Sequence, residues 1–222
     1  MRDSFSPFLN SNQKIPQELY SDLLTRFSTK EGYTMYPDVL PFFSMLREIK
    51  TQRTQEKLWN WDTTIVGVIT NSDDRVPGVL ESFGLEIGPR RGTSDAKSFS
   101  VDDDVNFVVL SYDIGFEKPH PQIFDVAKQL LQDIMADKNG SQSCSPSDFE
   151  TLYVGDDLEK DYFGARAAGW NAIYLDRQDR YRRELPEVDS IATVALSDDH
   201  AGHARTVRVI RDLWALCNWK PR

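Results

Sequence analysis

Carboxylates follow the end of one apolar run in a pattern that suits a divalent cation. Residues 152–154 form a short apolar segment that ends at Gly155, and Asp156 and Asp157 come directly after it. The segment is typical of a buried parallel strand. Asp161 returns to the same edge of the sheet if a helix begins near Asp157. Because hard cations such as Mg²⁺ prefer carboxylate oxygens, the sequence predicts a metal site there.

Two further strand ends offer groups that suit an anion. Thr70 and Asn71 follow the β-branched run 63–69, and Lys118 precedes Pro119 in the loop after the run 105–110. Hydroxyl, amide and backbone N–H groups can cradle a phosphate, and the lysine supplies a point charge. Each feature alone is common in structural roles, including Asp-Asp as a helix cap. Their order and spacing together predict phosphate bound with magnesium.

Alternating strands and helices would bring these groups together. We predict strands over 63–70, 105–110, 152–154 and 172–175, and helices over 16–27, 38–49, 76–83, 122–135 and 206–217. This alternation indicates an α/β fold with a parallel sheet, in which ligands bind at the carboxyl ends of the strands. Residues 86–104 lack periodicity, so we expect a mobile surface insertion whose triplet Asp102, Asp103 and Asp104 is a solvated acidic loop. Trp59 and Trp61 are expected to cover the base of the strand that begins near residue 63.

Composition narrows the class of protein. The chain has 222 residues, of which 40% are hydrophobic and 27% charged, with a formal net charge of −9. This charge disfavours nucleic acid and anionic membrane surfaces as partners. No apolar stretch approaches the roughly 18 residues of a membrane span, and the N-terminus lacks a signal-peptide pattern. We therefore expect a cytoplasmic or nuclear protein, with Cys144 and Cys217 as free thiols.

Three segments resemble the motifs of one known family, the haloacid dehalogenase-like (HAD-like) hydrolases. Residues 68–75 (VITNSDDR) resemble its second motif, in the form of the subgroup named haloacid dehalogenase-like hydrolase domain-containing protein 3. Residues 115–124 (GFEKPHPQIF) resemble its third motif, and residues 154–161 (VGDDLEKD) resemble its fourth. The resemblance covers about residues 36–177. It implies a three-layer Rossmann-like core and a Mg²⁺-dependent phosphatase that acts on a small phosphate ester.

The resemblance also implies roles for the site residues. Thr70 and Asn71 would hold the transferred phosphoryl group, and Lys118 would neutralise it and the nucleophile. Asp156 would ligate Mg²⁺ with support from Asp161. The position of Asp157 varies within the family.

The chain departs from the family in one respect. The family's first motif, Asp-x-Asp-x-Thr at the end of the first strand, supplies the nucleophile, and no such motif lies upstream of Thr70. Asp3 is the early candidate, but no apolar strand precedes it; otherwise Asp73 or Asp113 would have to be repurposed. Because covalent catalysis through an aspartyl-phosphate needs that carboxylate, we expect an inactive chain.

The same departure affects the expected fold. The family's first strand lies between the strand that ends at Thr70 and the strand that ends at Gly155, so we expect this strand to be missing. Residues 1–35 are then a remnant of the helical cap with an N-terminal tail, and residues 36–222 form the core. An N-terminally shortened chain is the simplest explanation. The exposed strand edges predict possible self-association.

Two alternatives to a phosphatase remain open. The chain could be a non-catalytic relative, a pseudoenzyme that binds phosphate, Mg²⁺ or a protein partner. It could also be a receiver domain like those of response regulators, with an acidic pocket and a lysine. The receiver is disfavoured because its phosphorylated aspartate should end a middle strand.

Overall fold

The computed structural model describes residues 16–52, 59–90, 99–138, 149–181, 183–184, 189–196 and 205–221. The helices are α1 Gln17–Ser28, α2 Val39–Gln52, α3 Val76–Ser82, α4 Ser111–Ile114, α5 Pro121–Lys138 and α6 Gly164–Ala167. The strands are β1 Gly67–Thr70, β2 Phe107–Leu110, β3 Leu152–Gly155, β4 Asn171–Leu175, β5 Ala192–Ala195 and β6 Thr206–Ile210. A π-helical segment, Leu158–Phe163, precedes α6, and short 3₁₀ turns cover Lys30–Gly32 and Leu213–Asn218. The predicted α/β class is confirmed.

The described strands form two sheets. β1 pairs with β2 in parallel, whereas the second sheet has the order β3-β4-β6-β5, in which only β5 runs antiparallel to its neighbour. Within the described ranges no strand pairs with both β1 and β3. Because residues 1–15 lie outside the described residues, the expected absence of a strand between β1 and β3 stays a prediction.

Apolar side chains cover both faces of these sheets. On one face α5 and α6 share an apolar cluster with alternate residues of the parallel strands. Its buried members include Ile69, Val109, Tyr153, Ala172, Val207, Phe124 and Ala165. On the other face α2 packs through Phe42 and Leu46 on the sheet of β3. Trp59 lies against Phe42 and donates from Nε1 to the Thr64 hydroxyl at 2.6 Å, which is consistent with its predicted place at the start of the strand.

The C-terminal prediction was wrong. Residues 206–217 do not form a helix: β6 spans Thr206–Ile210, and a 3₁₀ turn spans Leu213–Asn218. Val207 and Val209 are fully buried, while Thr206 is exposed. This period of two, together with β-branched side chains, favours a strand that pairs with β4.

The segment 86–104 is not simply a surface insertion. Ile87 is buried and forms a parallel bridge with Val105, and Arg90 forms another with Val108. Backbone pairing beside β2 therefore orders the first part of the segment. Residues 91–98 lie outside the described residues.

The prediction of a solvated acidic triplet holds for Asp102, which is exposed, but was wrong for Asp103 and Asp104. Asp103 and Asp104 are 8% and 3% exposed, and Arg47 of α2 binds the Asp104 carboxylate through two nitrogens. This hydrogen bond raises the pKa of Arg47. Lys50 donates to the Asp103 carbonyl at 2.8 Å, and burial lowers the pKa of its ammonium group. Cations on α2 compensate the acidic charge, a pairing between distant segments that local sequence does not display.

The assignment of residues 1–35 to a cap remnant stays a prediction. Its described part contains α1, which has no buried residue and contacts α3. The Lys30 amide donates to the Ser82 hydroxyl at 2.7 Å.

Of the helices in the described ranges, none has both the length and the apolar character that a membrane crossing requires. Cys217 is a free thiol, whereas Cys144 lies outside the described residues.

Candidate active site

Lys118 is the centre of the candidate site. Its Nζ donates to Asp161 Oδ1 at 2.7 Å and to the Tyr153 hydroxyl at 2.8 Å. The lysine and aspartate side chains are only 11% and 7% exposed. An ammonium group has three N–H donors, so these two contacts leave one for a ligand.

Asn71 fixes the backbone of the same lysine. Its amide nitrogen donates to the Lys118 carbonyl at 3.0 Å, and its amide oxygen accepts from the Lys118 N–H at 2.7 Å. The Asn71 side chain therefore joins the loop after β1 to the loop that carries the lysine. With its side chain in these two bonds, Asn71 has its backbone N–H left to offer an anion.

The chain after β3 directs Asp161 toward Lys118. Asp157 caps the π-helical segment by accepting from the N–H groups of Glu159 and Lys160 at 3.0 and 2.9 Å. The Asp157 N–H in turn donates to Asp161 Oδ2 at 3.1 Å. A β-carbon on Gly155 would lie 2.3 Å from that oxygen, so only glycine permits this close approach. Both oxygens of Asp161 thus accept hydrogen bonds from the protein.

Asp156 and Thr70 have side chains without such contacts. Asp156 is exposed after β3, Thr70 is half-buried at the end of β1, and neither side chain hydrogen-bonds to another described residue. The described residues contain no group of three His, Cys, Asp or Glu that could hold a metal ion by themselves. Mg²⁺ is usually held by one or two carboxylates together with phosphate oxygens and waters. Asp156 fits that mode, whereas Asp157 accepts its two hydrogen bonds through Oδ1 and Asp161 accepts through both oxygens. Metal ligation by these three residues stays a prediction.

The two carboxylates considered as replacement nucleophiles are bound to arginines. Arg75 binds Asp73 at 2.7 Å, and this hydrogen bond lowers the pKa of Asp73. Arg90 binds Asp113 through two nitrogens, and the hydrogen bond raises the pKa of the arginine. The Asp113 side chain is 8% exposed. Both carboxylates thus have an arginine as partner, and the carboxylate that contacts Lys118 is that of Asp161.

The role of Tyr153 was not predicted from the sequence, in which this residue was assigned only to a strand. Its hydroxyl accepts from Lys118 and donates to the Ile69 carbonyl at 2.9 Å. Burial, and next the charge of Asp161, raise the pKa of the hydroxyl. A tyrosine in an otherwise aliphatic strand was the available signal, because a buried hydroxyl needs a partner.

Comparisons with known proteins identify the family of the chain. A family model described as haloacid dehalogenase-like hydrolase matches residues 7–169. An uncharacterized hydrolase of Schizosaccharomyces pombe is 31% identical over 162 residues, which is 73% of this chain and 56% of that protein. Haloacid dehalogenase-like hydrolase domain-containing protein 3 of Danio rerio is 29% identical over 54% of this chain and 37% of its own length. The chain thus spans about half, or less, of these curated relatives.

A solved structure gives the same fold. The crystal structure of a HAD phosphatase from Thermococcus onnurineus covers 97% of this chain and 68% of its own length, with a TM-score of 0.50 and 20% identity. At this identity the likeness concerns the fold. The extent of the family match and the similarity to the Schizosaccharomyces pombe protein show that the chain belongs to the haloacid dehalogenase-like hydrolases.

Proposed function

We propose that this chain carries a phosphate-binding site of the Mg²⁺-dependent phosphatase type, for a small phosphate ester. One observation carries the proposal: a nearly buried lysine, held through its backbone by Asn71 and through its ammonium group by Asp161 and Tyr153, keeps one N–H donor unused. A buried cation with a spare donor suits an anionic oxygen. Membership of the haloacid dehalogenase-like hydrolases supports a site of the hydrolase type.

Each residue has a distinct role in the proposal. Lys118 binds a phosphoryl oxygen, and the Thr70 hydroxyl with the Asn71 N–H binds another. Asp156 ligates Mg²⁺, which when bound neutralises charge on the phosphoryl group. Asp161 keeps Lys118 in place, and Asp157 caps the segment that carries Asp161.

We further propose that the chain binds phosphate without appreciable turnover. Hydrolysis through an aspartyl-phosphate needs a free carboxylate opposite the lysine. Asp73 and Asp113 are held by arginines, and the sequence upstream of Thr70 contains no Asp-x-Asp-x-Thr motif. This is the behaviour of a pseudoenzyme that keeps its anion site.

Calorimetric titration of orthophosphate, with and without MgCl₂, tests the binding proposal. We expect Mg²⁺-dependent binding by the wild-type chain and at least a tenfold loss in Lys118→Met, because one charge-assisted hydrogen bond is removed. Lys160→Met is the matched control, since Lys160 is exposed on the neighbouring segment and its ammonium group has no partner among the described residues. Absence of phosphate binding, or equal affinity in Lys118→Met, would contradict the proposal.

An aryl phosphate assay tests the second part. We expect no release of the aryl alcohol above the buffer rate, with or without MgCl₂. Turnover that disappears in Asp156→Ala would show that another carboxylate has taken the nucleophile's place.

A further inference from the structure

The Tyr153 hydroxyl connects two strands that do not pair with each other. On β1 it donates to the Ile69 carbonyl at 2.9 Å, while Tyr153 itself belongs to β3. The Val66 carbonyl accepts from the Asn106 N–H on the β2 side. Because successive carbonyls along a strand point in opposite directions, the Ile69 carbonyl points away from β2. A side chain therefore occupies a strand edge that has no backbone partner among the described residues.

The same hydroxyl holds the lysine of the site. We propose that Tyr153 is a positioning residue, which fixes the Lys118 ammonium group relative to the strand that ends at Thr70. The inference rests on the proposed function, because it assigns Tyr153 a part in phosphate binding. Lys118, the tyrosine hydroxyl and the Ile69 carbonyl form one continuous chain of hydrogen bonds, and Thr70 is the next residue after Ile69.

The number of hydrogen bonds that a tyrosine hydroxyl can donate and accept fixes which group is the donor at each of these contacts. A phenolic hydroxyl donates one hydrogen bond and can accept two. Its proton goes to Ile69 at 2.9 Å, since Asp161 Oδ1 is farther away at 3.4 Å. The oxygen then faces Lys118 as an acceptor at 2.8 Å. Because burial raises its pKa, the hydroxyl keeps its proton throughout the neutral range.

These contacts leave the lysine little freedom. Asp161 and Tyr153 take two of its three N–H donors, and the tetrahedral ammonium group then points the third in one direction. The unused donor is thus aimed before any ligand arrives, which lowers the entropic cost of binding an anion.

A second role for the hydroxyl must be separated from this one. It could serve only to satisfy the Ile69 carbonyl, in which case its loss would lower stability and leave the lysine unchanged. Tyr153→Phe removes the oxygen but keeps the ring and its edge contact with Phe124, whose centroid lies 5.4 Å away. This variant tests the hydroxyl alone.

Tyr162→Phe is the matched control. Tyr162 is also buried, at 7% exposure, in the same core cluster, and its hydroxyl accepts from the Arg208 N–H at 3.2 Å. Each variant loses one buried hydroxyl, but only Tyr153 contacts Lys118. Thermal melts of both show whether each variant is folded.

Two measurements are made on the wild type and both variants. The first is the ¹⁵N NMR signal of the Lys118 ammonium group, assigned by its loss in Lys118→Met, with its proton exchange rate. The second is calorimetric titration of orthophosphate with MgCl₂. We expect Tyr153→Phe to speed ammonium exchange and to weaken phosphate binding about tenfold, the effect of losing about 1.4 kcal/mol of positioning. Tyr162→Phe should change neither quantity.

The outcomes are distinguishable. An unchanged ammonium signal in Tyr153→Phe, or equal losses in both tyrosine variants, would overturn the positioning role. If the wild type binds no phosphate, the proposed function fails. The NMR measurement then decides alone whether Tyr153 positions the lysine: faster exchange in Tyr153→Phe only would support it, and equal exchange would overturn it.

Discussion

The Lys118–Asp161 pair should show strong energetic coupling, which a double-mutant cycle of Lys118→Met and Asp161→Asn can measure. The pair lies at 2.7 Å with both side chains nearly buried. Each single change leaves one partner without its counter-charge. The double variant removes both charges at once.

The structure sets the expected magnitude. Removing one partner of a buried ion pair costs about 3–5 kcal/mol, because the other charge stays desolvated. In wild-type protein Asp161 Oδ2 accepts a hydrogen bond from the Asp157 N–H. In Asp161→Asn the amide oxygen can still accept from Lys118, but the amide NH₂ group then faces the Asp157 N–H, and two donors meet. We therefore expect about 3 kcal/mol for each single variant, a coupling energy of about 2 kcal/mol, and a melting temperature lower by about 6–12 °C in each single variant.

Urea denaturation at pH 7, followed by the fluorescence of the 5 tryptophans, measures these free energies of unfolding. The control cycle uses Asp73→Asn and Arg75→Met, since that pair is 39% and 45% exposed and should couple by less than about 0.5 kcal/mol. Additive effects of Lys118→Met and Asp161→Asn, within about 0.5 kcal/mol, would refute the buried ion pair as the centre of the site.

Two further predictions concern stability. Asp38 is buried, which by itself would raise the pKa of its carboxyl group. The hydrogen bonds that it accepts from Arg177 and from the Leu213 N–H outweigh burial, so its pKa lies below the ordinary 3.8. Asp38→Asn should therefore lower the free energy of unfolding by about 3 kcal/mol at pH 7. In urea melts the difference in this free energy between wild type and variant should shrink below pH 3.8, as the native carboxylate is protonated. A difference that stays constant down to acid pH would contradict this. Val209→Ala should cost about 2 kcal/mol and Arg208→Ala under about 1 kcal/mol in the same melts, because Val209 of β6 is buried and Arg208 is only partly buried. Equal costs for the two variants would contradict the strand.

Elements with long, regular patterns were predictable from sequence. The helix predicted over 38–49 is α2, Val39–Gln52, and the one over 122–135 is α5, Pro121–Lys138. Apolar positions at helical spacing and prolines near the start mark both. The strands that end at Thr70 and Gly155 were also located, because a β-branched or apolar run ends there in polar residues.

The errors arose where tertiary contacts override local pattern. Residues 206–217 have apolar positions that fit a helix, but pairing with β4 and β5 selects a strand for the first part. Asp103 and Asp104 looked solvated because their compensating cations are on α2, more than 50 residues away along the chain.

The site was predictable in part. Family motifs identified Lys118, Asn71 and Asp161, yet the contacts between them depend on loops that meet only in the folded protein. Sequence could not show that Asn71 binds the lysine backbone instead of leaving its amide free. It also could not show that Tyr153 links Lys118 to Ile69, because that link crosses between two sheets.

We propose that Lys118, Thr70 and Asp156 bind one phosphate together with Mg²⁺. A crystal structure of the wild-type chain grown with MgCl₂ and orthophosphate tests it most directly. We expect a phosphate oxygen within hydrogen-bond distance of Lys118 Nζ, with the Lys118–Asp161 contact retained, and Mg²⁺ bound to Asp156. Phosphate bound elsewhere, or at this edge without contact to Lys118, would contradict it.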